Sequence, residues 1–291
     1  MTFLERKITL QIDLGNKATF NPGGDNTVTI KGHRVHVSLT NTFGPLNGEA
    51  RIRVYGLAPS LLNQIASLNQ TTATAQANTV TVLAGDDTNG MAIAYSGQIQ
   101  IAQADMSEHP ESALNITAMG VGLLGVKRVN PTSYAGSADA AVILKNLATL
   151  GGLDFENSGA SKILATPYFC GDLSKQIDDC ARQAGFDRYI DKQTLAIWPR
   201  GGSRGGAIPL ISADTGMVGF PSYTSMADGG GLALTCLYNK DLKVGGKVQV
   251  KSQLSVANGT WQVFSISHEL ESLVPGGQWF SHFNALFPSN G

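Results

Sequence analysis

The sequence predicts a mainly β protein in which a small α/β unit is inserted between two antiparallel β units. Three observations predict it. Short segments of strict apolar–polar alternation, bounded by Gly, Pro, Asn and Asp, fill both ends of the chain. Two segments with helical periodicity stand side by side between them, and the composition is that of a turn-rich β chain. It has 34 Gly and only 15% charged residues, against about 25% in an ordinary soluble domain. The net charge of -1 offers no basic field for collecting nucleic acid, and low charge suits a subunit buried in an assembly.

The N-terminal unit, residues 1–122, opens on Lys7 to Leu14, with Ile8, Leu10, Ile12 and Leu14 on one face. Val28 and Ile30 resume the pattern, which after Gly32 moves to Val35, Val37 and Leu39. That change of parity predicts a bulge near Gly32. Glu49 to Tyr55 alternates again, Pro59-Ser60 starts a short helix to Leu68, and strands follow at Thr79 to Leu83, Ala92 to Ala102 and Leu114 to Ala118.

In the α/β unit, residues 123–204, Ser137 is the expected N-cap of a helix to Leu150, stopped by Gly151-Gly152. Asp172 caps a second helix, Leu173 to Ala184, ended by Gly185, and Arg188 to Ile190 and Thr194 to Trp198 form a hairpin. Gly201 to Gly206 reads as a flexible linker. The C-terminal unit, residues 205–291, has strands at Leu232 to Leu237, Lys247 to Lys251, Thr260 to Glu269 and Gln278 to Leu286. A tight Asn258-Gly259 hairpin turn is expected there, and the apolar face of Trp261 and Val263 shifts to Ile266 after Phe264. Two β units in one chain suggest a duplication, although no clean internal repeat supports it.

No constellation for catalysis, cofactor binding or metal binding is expected. Asp86-Asp87 and Asp178-Asp179 are adjacent pairs that point apart, suited to a turn and a solvated helix face. His33 and His36 face opposite sides of a strand, while His268 and His282 read as structural or interface histidines. Cys170, Cys180 and Cys236 form no CxxC and read as buried apolar residues. Gly229-Gly230-Gly231 lacks a P-loop's Lys and reads as a loop, as does Gly201 to Gly206. Trp198, Trp261 and Trp279 read as core or interface packing rather than a sugar platform. Arg51 and Arg53 share one face, where they suit a polar lumen, ion pairs between subunits or plain solvation. The N-terminus lacks a secretory h-region and no apolar run spans a bilayer, so synthesis in a cytoplasm is expected, without membrane binding.

Gly216-Met217-Val218-Gly219-Phe220-Pro221, Leu237-Tyr238-Asn239, Leu242-Lys243-Val244-Gly245 leading into Val248-Gln249-Val250, and Asn258 to Val263 with His268 resemble the baseplate hub proteins of tailed bacteriophages. The two helices followed by Thr194 to Pro199 look like the α/β domain that splits the two tube-like domains of that family. The chain departs from the family at Lys240, where Pro is frequent, and at Glu269-Leu270, where Gly-Asp is common. The resemblance implies two tube-like antiparallel β-barrel domains flanking the α/β domain, and a homotrimer presenting six quasi-equivalent barrels. It implies a structural hub of a tail baseplate, in a contractile tail, that adapts a three-fold central spike to a six-fold tail tube or tube-initiator protein. Baseplate wedge and tape-measure proteins are further implied partners, and DNA would pass through the lumen without specific binding. A tail-tip enzyme or glycan-binding module acting on the cell wall is the alternative.

Overall fold

The computed structural model describes residues 5–15, 19–20, 24–43, 48–66, 78–88, 90–107, 111–120, 128–226 and 229–287. The N-terminal unit supplies β1 (Lys7–Asp13), β2 (Thr27–Lys31), β3 (Val35–Thr42), β4 (Glu49–Tyr55), α1 (Pro59–Ala66), β5 (Thr79–Asp86), β6 (Gly90–Asp105) and β7 (Ala113–Met119). The middle unit holds β8 (Thr132–Ser133), β9 (Ser137–Asp139), α2 (Ala140–Gly151), β10 (Asp154–Asn157), β11 (Ile163–Ala165), β12 (Tyr168–Phe169), α3 (Leu173–Ala184), β13 (Phe186–Asp191) and β14 (Thr194–Pro199). The C-terminal unit follows with β15 (Leu210–Ile211), β16 (Met217–Met226), β17 (Gly229–Leu237), β18 (Lys247–Val250), β19 (Gly259–Ser272) and β20 (Trp279–Leu286). The chain is thus mainly β with an α/β insert, as its alternation predicts.

One 13-stranded sheet runs through both β units in the order β16-β17-β20-β19-β3-β4-β7-β6-β5-β1-β2, with β18 on β19 and β15 on β18. The units fuse where β3 pairs antiparallel with β19, from Thr42 opposite Ser265 to Val35 opposite Ser272. The inward residues of β1, β3, β4, β5, β6 and β7, among them Leu10, Val37, Ile52, Val82, Ile99 and Ile116, meet in a single core with Leu62 and Ile65 of α1. Strands far apart in sheet order share this core, so the sheet curls around it. A second core of β16–β20 residues, with Leu234, Val248, Trp261 and Phe283, also takes in Tyr189, Ala196 and Trp198 of the insert hairpin. A third packs α2 and α3 against the other face of that hairpin, with Leu147, Ile177, Leu195 and Ile197.

Local chemistry explains most element ends. Asp172 accepts a hydrogen bond from the Lys175 amide at 2.8 Å and starts α3, which stops at left-handed Gly185 with φ 72. Asp172→Ala is expected to cost about 1 kcal/mol, read as a lower urea midpoint with an unchanged m-value. In β19, Val263 pairs with Ala285 and Ser265 with Asn284, so Phe264 is the extra residue of a bulge, and the buried set shifts parity there as the sequence predicts.

Four local expectations are corrected. Gly32, with φ +72, is no bulge: it turns the chain out of β2, which pairs with β1, into β3, which pairs with β4 and β19. Asp139 rather than Ser137 caps α2, accepting from the Ala141 amide at 2.9 Å, because Ser137 is held extended against Ala165 in β9. Helical spacing puts Ala141, Ile143 or Val142, Leu147 and Leu150 on the buried side of α2; Ala141, Ile143 and Leu147 are there with Leu144 and Ala148, but Leu150 is exposed. Asn258-Gly259 is not a two-residue turn. Asn258 has φ -72 and follows a 3-10 turn over Ser255–Ala257, and its Oδ1 accepts from the Ser252 amide at 2.6 Å, closing a longer loop. Leu68 lies outside the described residues.

Candidate functional site

The run Gly201 to Gly206, expected to be a flexible linker, is instead the fastening between the insert and the C-terminal unit. Arg204 donates from Nε and Nη2 to the two carboxylate oxygens of Glu156 at 3.0 and 2.9 Å, and from Nη1 to Asp191 Oδ2 at 2.9 Å. Its side chain is 3% exposed. Burial opposes its charge, but the hydrogen bonds with Glu156 and the pull of Asp191 outweigh this and raise its pKa. The backbone is held too: the Arg204 amide donates to the Gly245 carbonyl at 2.8 Å. Glycines on either side let the chain approach closely, while the arginine between them reaches across to β10 and β13.

Trp198, fully buried, is the packing counterpart of this lock. Its ring lies 5.8 Å from that of Phe43, in the N-terminal unit, and against Gly245 of the C-terminal unit. A Cβ on Gly245 would fall 2.5 Å from the indole carbons, and its φ of +80 also favours glycine. Tyr189 Oη donates to Asn41 Oδ1 at 3.3 Å, so the insert hairpin touches both β units.

The sheet's outward face forms a continuous and mostly polar wall. In register across the path lie Val218, Thr235, His282, Ser267, Thr40, Glu49, Met119, Gln98, Thr79, Asp13 and Thr27. Over β16, β17, β20, β19 and β3 this face is hollowed into a trough of about 420 Å³ lined by hydroxyl and amide groups, among them Thr40, Ser267, Thr235 and Asn284, with Val218 and Phe220 at the β16 side. Its side chains satisfy one another. His282 Nδ1 meets Thr235 Oγ1 at 2.9 Å, and Asn284 donates to Ser265 Oγ at 2.9 Å. Further along, Arg51 pairs with Glu49 at 2.7 Å and Arg53 with Asp105 at 3.1 Å, while Glu269 accepts from Ser38 at 2.6 Å and meets His36 at 3.3 Å. Ion pairs neutralise Glu49 and Asp105 on this wall, and hydrogen bonds hold Glu269.

The other candidate residues are scattered in structural roles. Asp86 accepts from the Thr88 amide in a turn and Asp87 pairs with Lys7 at 2.6 Å. Asp178 pairs with Arg188, and Asp179 with Lys175 and Arg182. His33 sits outside the strand, 3.1 Å from the Tyr55 carbonyl. Cys180 and Cys236 are buried, which pushes both thiols up to about 12, but Cys170 is exposed, contrary to expectation. Gly229-Gly230-Gly231 is not a loop, because these residues begin β17 opposite Thr224 to Met226. Trp198, Trp261 and Trp279 are all buried and present no ring face for a glycan. Among the described residues, no group of three His, Cys, Asp or Glu side chains is placed to hold a metal, and no helix is long and apolar enough to cross a membrane. Sequence reasoning missed Arg204 and the β3–β19 seam. The one signal for Arg204 was a lone charge inside a glycine run.

His268 is buried at the junction, its Nδ1 2.8 Å from Ser281 Oγ and its ring edge-on to Tyr238. Burial first, and then the neighbouring Lys192, push its pKa down to about 3 from 6.5. The folded protein therefore keeps the ring neutral where the unfolded chain protonates it. The stabilising contribution is full above about pH 6.5 and is lost as pH falls towards 3, at up to about 1.4 kcal/mol per pH unit. Between pH 7 and pH 4.5 the urea midpoint is expected to fall further in the wild type than in His268→Gln. Equal falls would contradict the assignment.

A profile of the baseplate hub gp41 family matches residues 15–274, across all three units. No curated protein sequence matches. Among solved structures, the fold is similar to a tail protein from Neisseria meningitidis MC58, at TM-score 0.63 and 9% identity over 96% of each chain. It is equally similar to the 43 kDa tail protein of prophage MuSo2 from Shewanella oneidensis, at TM-score 0.62 and 9% identity over 98% of this chain and 97% of that one. An E. coli type VI secretion component, described as similar to the T4 tail proteins gp27 and gp5, follows at TM-score 0.56 and 11% identity, covering 88% of this chain and 74% of that one. At such identities the structures establish the fold, and the match along residues 15–274 establishes the family: this chain belongs to the baseplate hub gp41 family, structural proteins of phage-type tails.

Proposed function

We propose that this chain is a non-enzymatic hub of a contractile tail, a homotrimer that adapts a three-fold central spike to the six-fold tail tube or its initiator protein. The observation that carries this reading is the single sheet running through two β units, with an outer face hollowed into a mostly hydroxyl- and amide-lined trough. Two β units per chain make six per trimer, which matches a six-fold tube to a three-fold spike. The hollowed outer face is the lumen wall of that ring. Thr, Ser and Asn hydroxyls and amides, with every nearby carboxylate already bonded, neither attract phosphates nor repel them strongly, so DNA passes without being held. The free edges of β16 and β2 are the places where neighbouring subunits join, which removes exposed ladder groups.

The test mixes the protein with the spike protein of the same tail and examines the product by electron microscopy. Three-fold rings capping the blunt end of the spike are expected, with wedge and tape-measure proteins adding to that ring in complete tails. A spike with no added density, together with release of soluble fragments from peptidoglycan by the chain alone, would overturn the hub reading in favour of a cell-wall enzyme.

A further inference from the structure

Two strands end the large sheet. Among the described residues β16 pairs only with β17 and β2 only with β1, so each leaves a row of backbone N–H and C=O groups unpaired. In proteins that work alone such edges are guarded by charge, proline or a bulge.

The guard on β16 covers only its first half. Between Val218, opposite Thr235, and Ser222, opposite Ala233, the residues Gly219, Phe220 and Pro221 face Leu234 alone, and Gly219 takes φ +71 in this bulge. Pro221 has no N–H to offer a neighbour. Beyond it, Ser222 to Met226 runs in regular register with Ala233 to Gly229 and has no such guard. β16 carries no charged residue, and Asp228 is the one charge from Gly216 to Leu237. Phe220 is 68% exposed, with Val218 and Tyr223 half-exposed on the same strand. A charge-free strand with exposed aromatic rings has the composition of an interface core rather than of a solvated edge.

The other free edge matches it. β2 is five residues long, as is the stretch from Ser222 to Met226, and its one charge, Lys31, is at its end. Thr27 and Thr29 share the sheet's outward face, opposite Asp13 and Gln11. Ser222 and Thr224 lie on that face too, opposite Ala233 and Gly231, which alternate with Thr235 along β17. Joined through these edges, the mostly polar wall continues from one copy into the next. The two patches differ, so the contact repeats around a ring instead of stopping at a pair.

We propose that Ser222 to Met226 of β16 pairs with β2 of a second copy of this chain, Thr224 opposite Thr29, with Phe220 as the apolar anchor at one end of the joint. The proposal rests on the hub reading and adds the register of its subunit contact. Main-chain hydrogen bonds supply the affinity. Thr224 and Thr29 are the middle residues of their stretches, so they meet whether the strands run parallel or antiparallel.

The experiment places Thr224→Cys and Thr29→Cys in the full chain, with Cys170→Ser to remove the exposed thiol. The protein is mixed with the spike protein of the same tail and oxidised with copper phenanthroline. Opposed residues of paired strands lie about 4.5–5.5 Å apart between Cα atoms, within disulfide reach. Covalent trimers on a non-reducing gel are expected from the double variant and no cross-link from either single one. Dimers from Thr224→Cys alone would show a two-fold contact and overturn the proposal. A trimer by light scattering whose copies stay unlinked overturns the joint and leaves the hub reading standing, whereas a chain that stays monomeric beside the spike overturns both. Phe220→Ser tests the anchor without cysteines: the urea midpoint should not move, while the concentration needed for half-assembly should rise about tenfold or more. Unchanged assembly in that variant overturns the anchor, and should the cysteine variants misfold, that result alone decides.

Discussion

Replacing Arg204 with methionine is expected to destabilise the protein by about 3–5 kcal/mol, the range found when one partner of a buried ion pair is removed. The loss is large because both acids stay behind: Glu156 and Asp191 then face a junction with no guanidinium to neutralise them. An exposed pair would lose about 0–1 kcal/mol, so the size of the change separates a buried lock from a solvated linker. The comparison requires the urea midpoint and m-value of Arg204→Met. The double variant Arg204→Met with Glu156→Gln should recover part of the loss, since one stranded charge is gone. A single variant with wild-type stability would show that residues 201–206 are the flexible connection their glycine content suggests.

Trp198→Ala is expected to cost about 3–5 kcal/mol, as for other large aromatics removed from a core. Trp198 touches Phe43 and Gly245 while belonging to the insert, so the cavity opens at the meeting of all three units. Its effect should therefore reach beyond global stability. Limited proteolysis of Trp198→Ala under native conditions is expected to cut after Arg204, which is buried and ion-paired in the wild type. A destabilised variant that remains uncut there would place the damage elsewhere.

Most single elements were legible because their signals are local. Ile8, Leu10 and Ile12 mark β1 by alternation alone, Asp172 and Gly185 bracket α3, and the parity change at Phe264 marks the bulge in β19. Where a local signal failed, a distant partner had decided. Ser137 is a good cap by composition, but pairing with Ala165 holds it in a strand and hands the cap to Asp139. Gly32 turns the chain out of β2 because β3 finds β19, whose residues lie more than two hundred positions further on. Neither the seam nor the Arg204 lock has a sequence period, so nothing short of the folded chain reveals them. The polar wall was half legible: alternation identified Arg51 and Arg53 as sharing a face, but which strands continue that face depends on the seam.

The measurement that tests the central claim most directly is the mass of the purified protein by light scattering at two concentrations, alone and with the spike protein. A closed ring predicts a stable species at three times 30.6 kDa, and with the spike a complex holding three copies. A protein that stays at 30.6 kDa at both concentrations and gains no mass with the spike would contradict the trimeric adaptor.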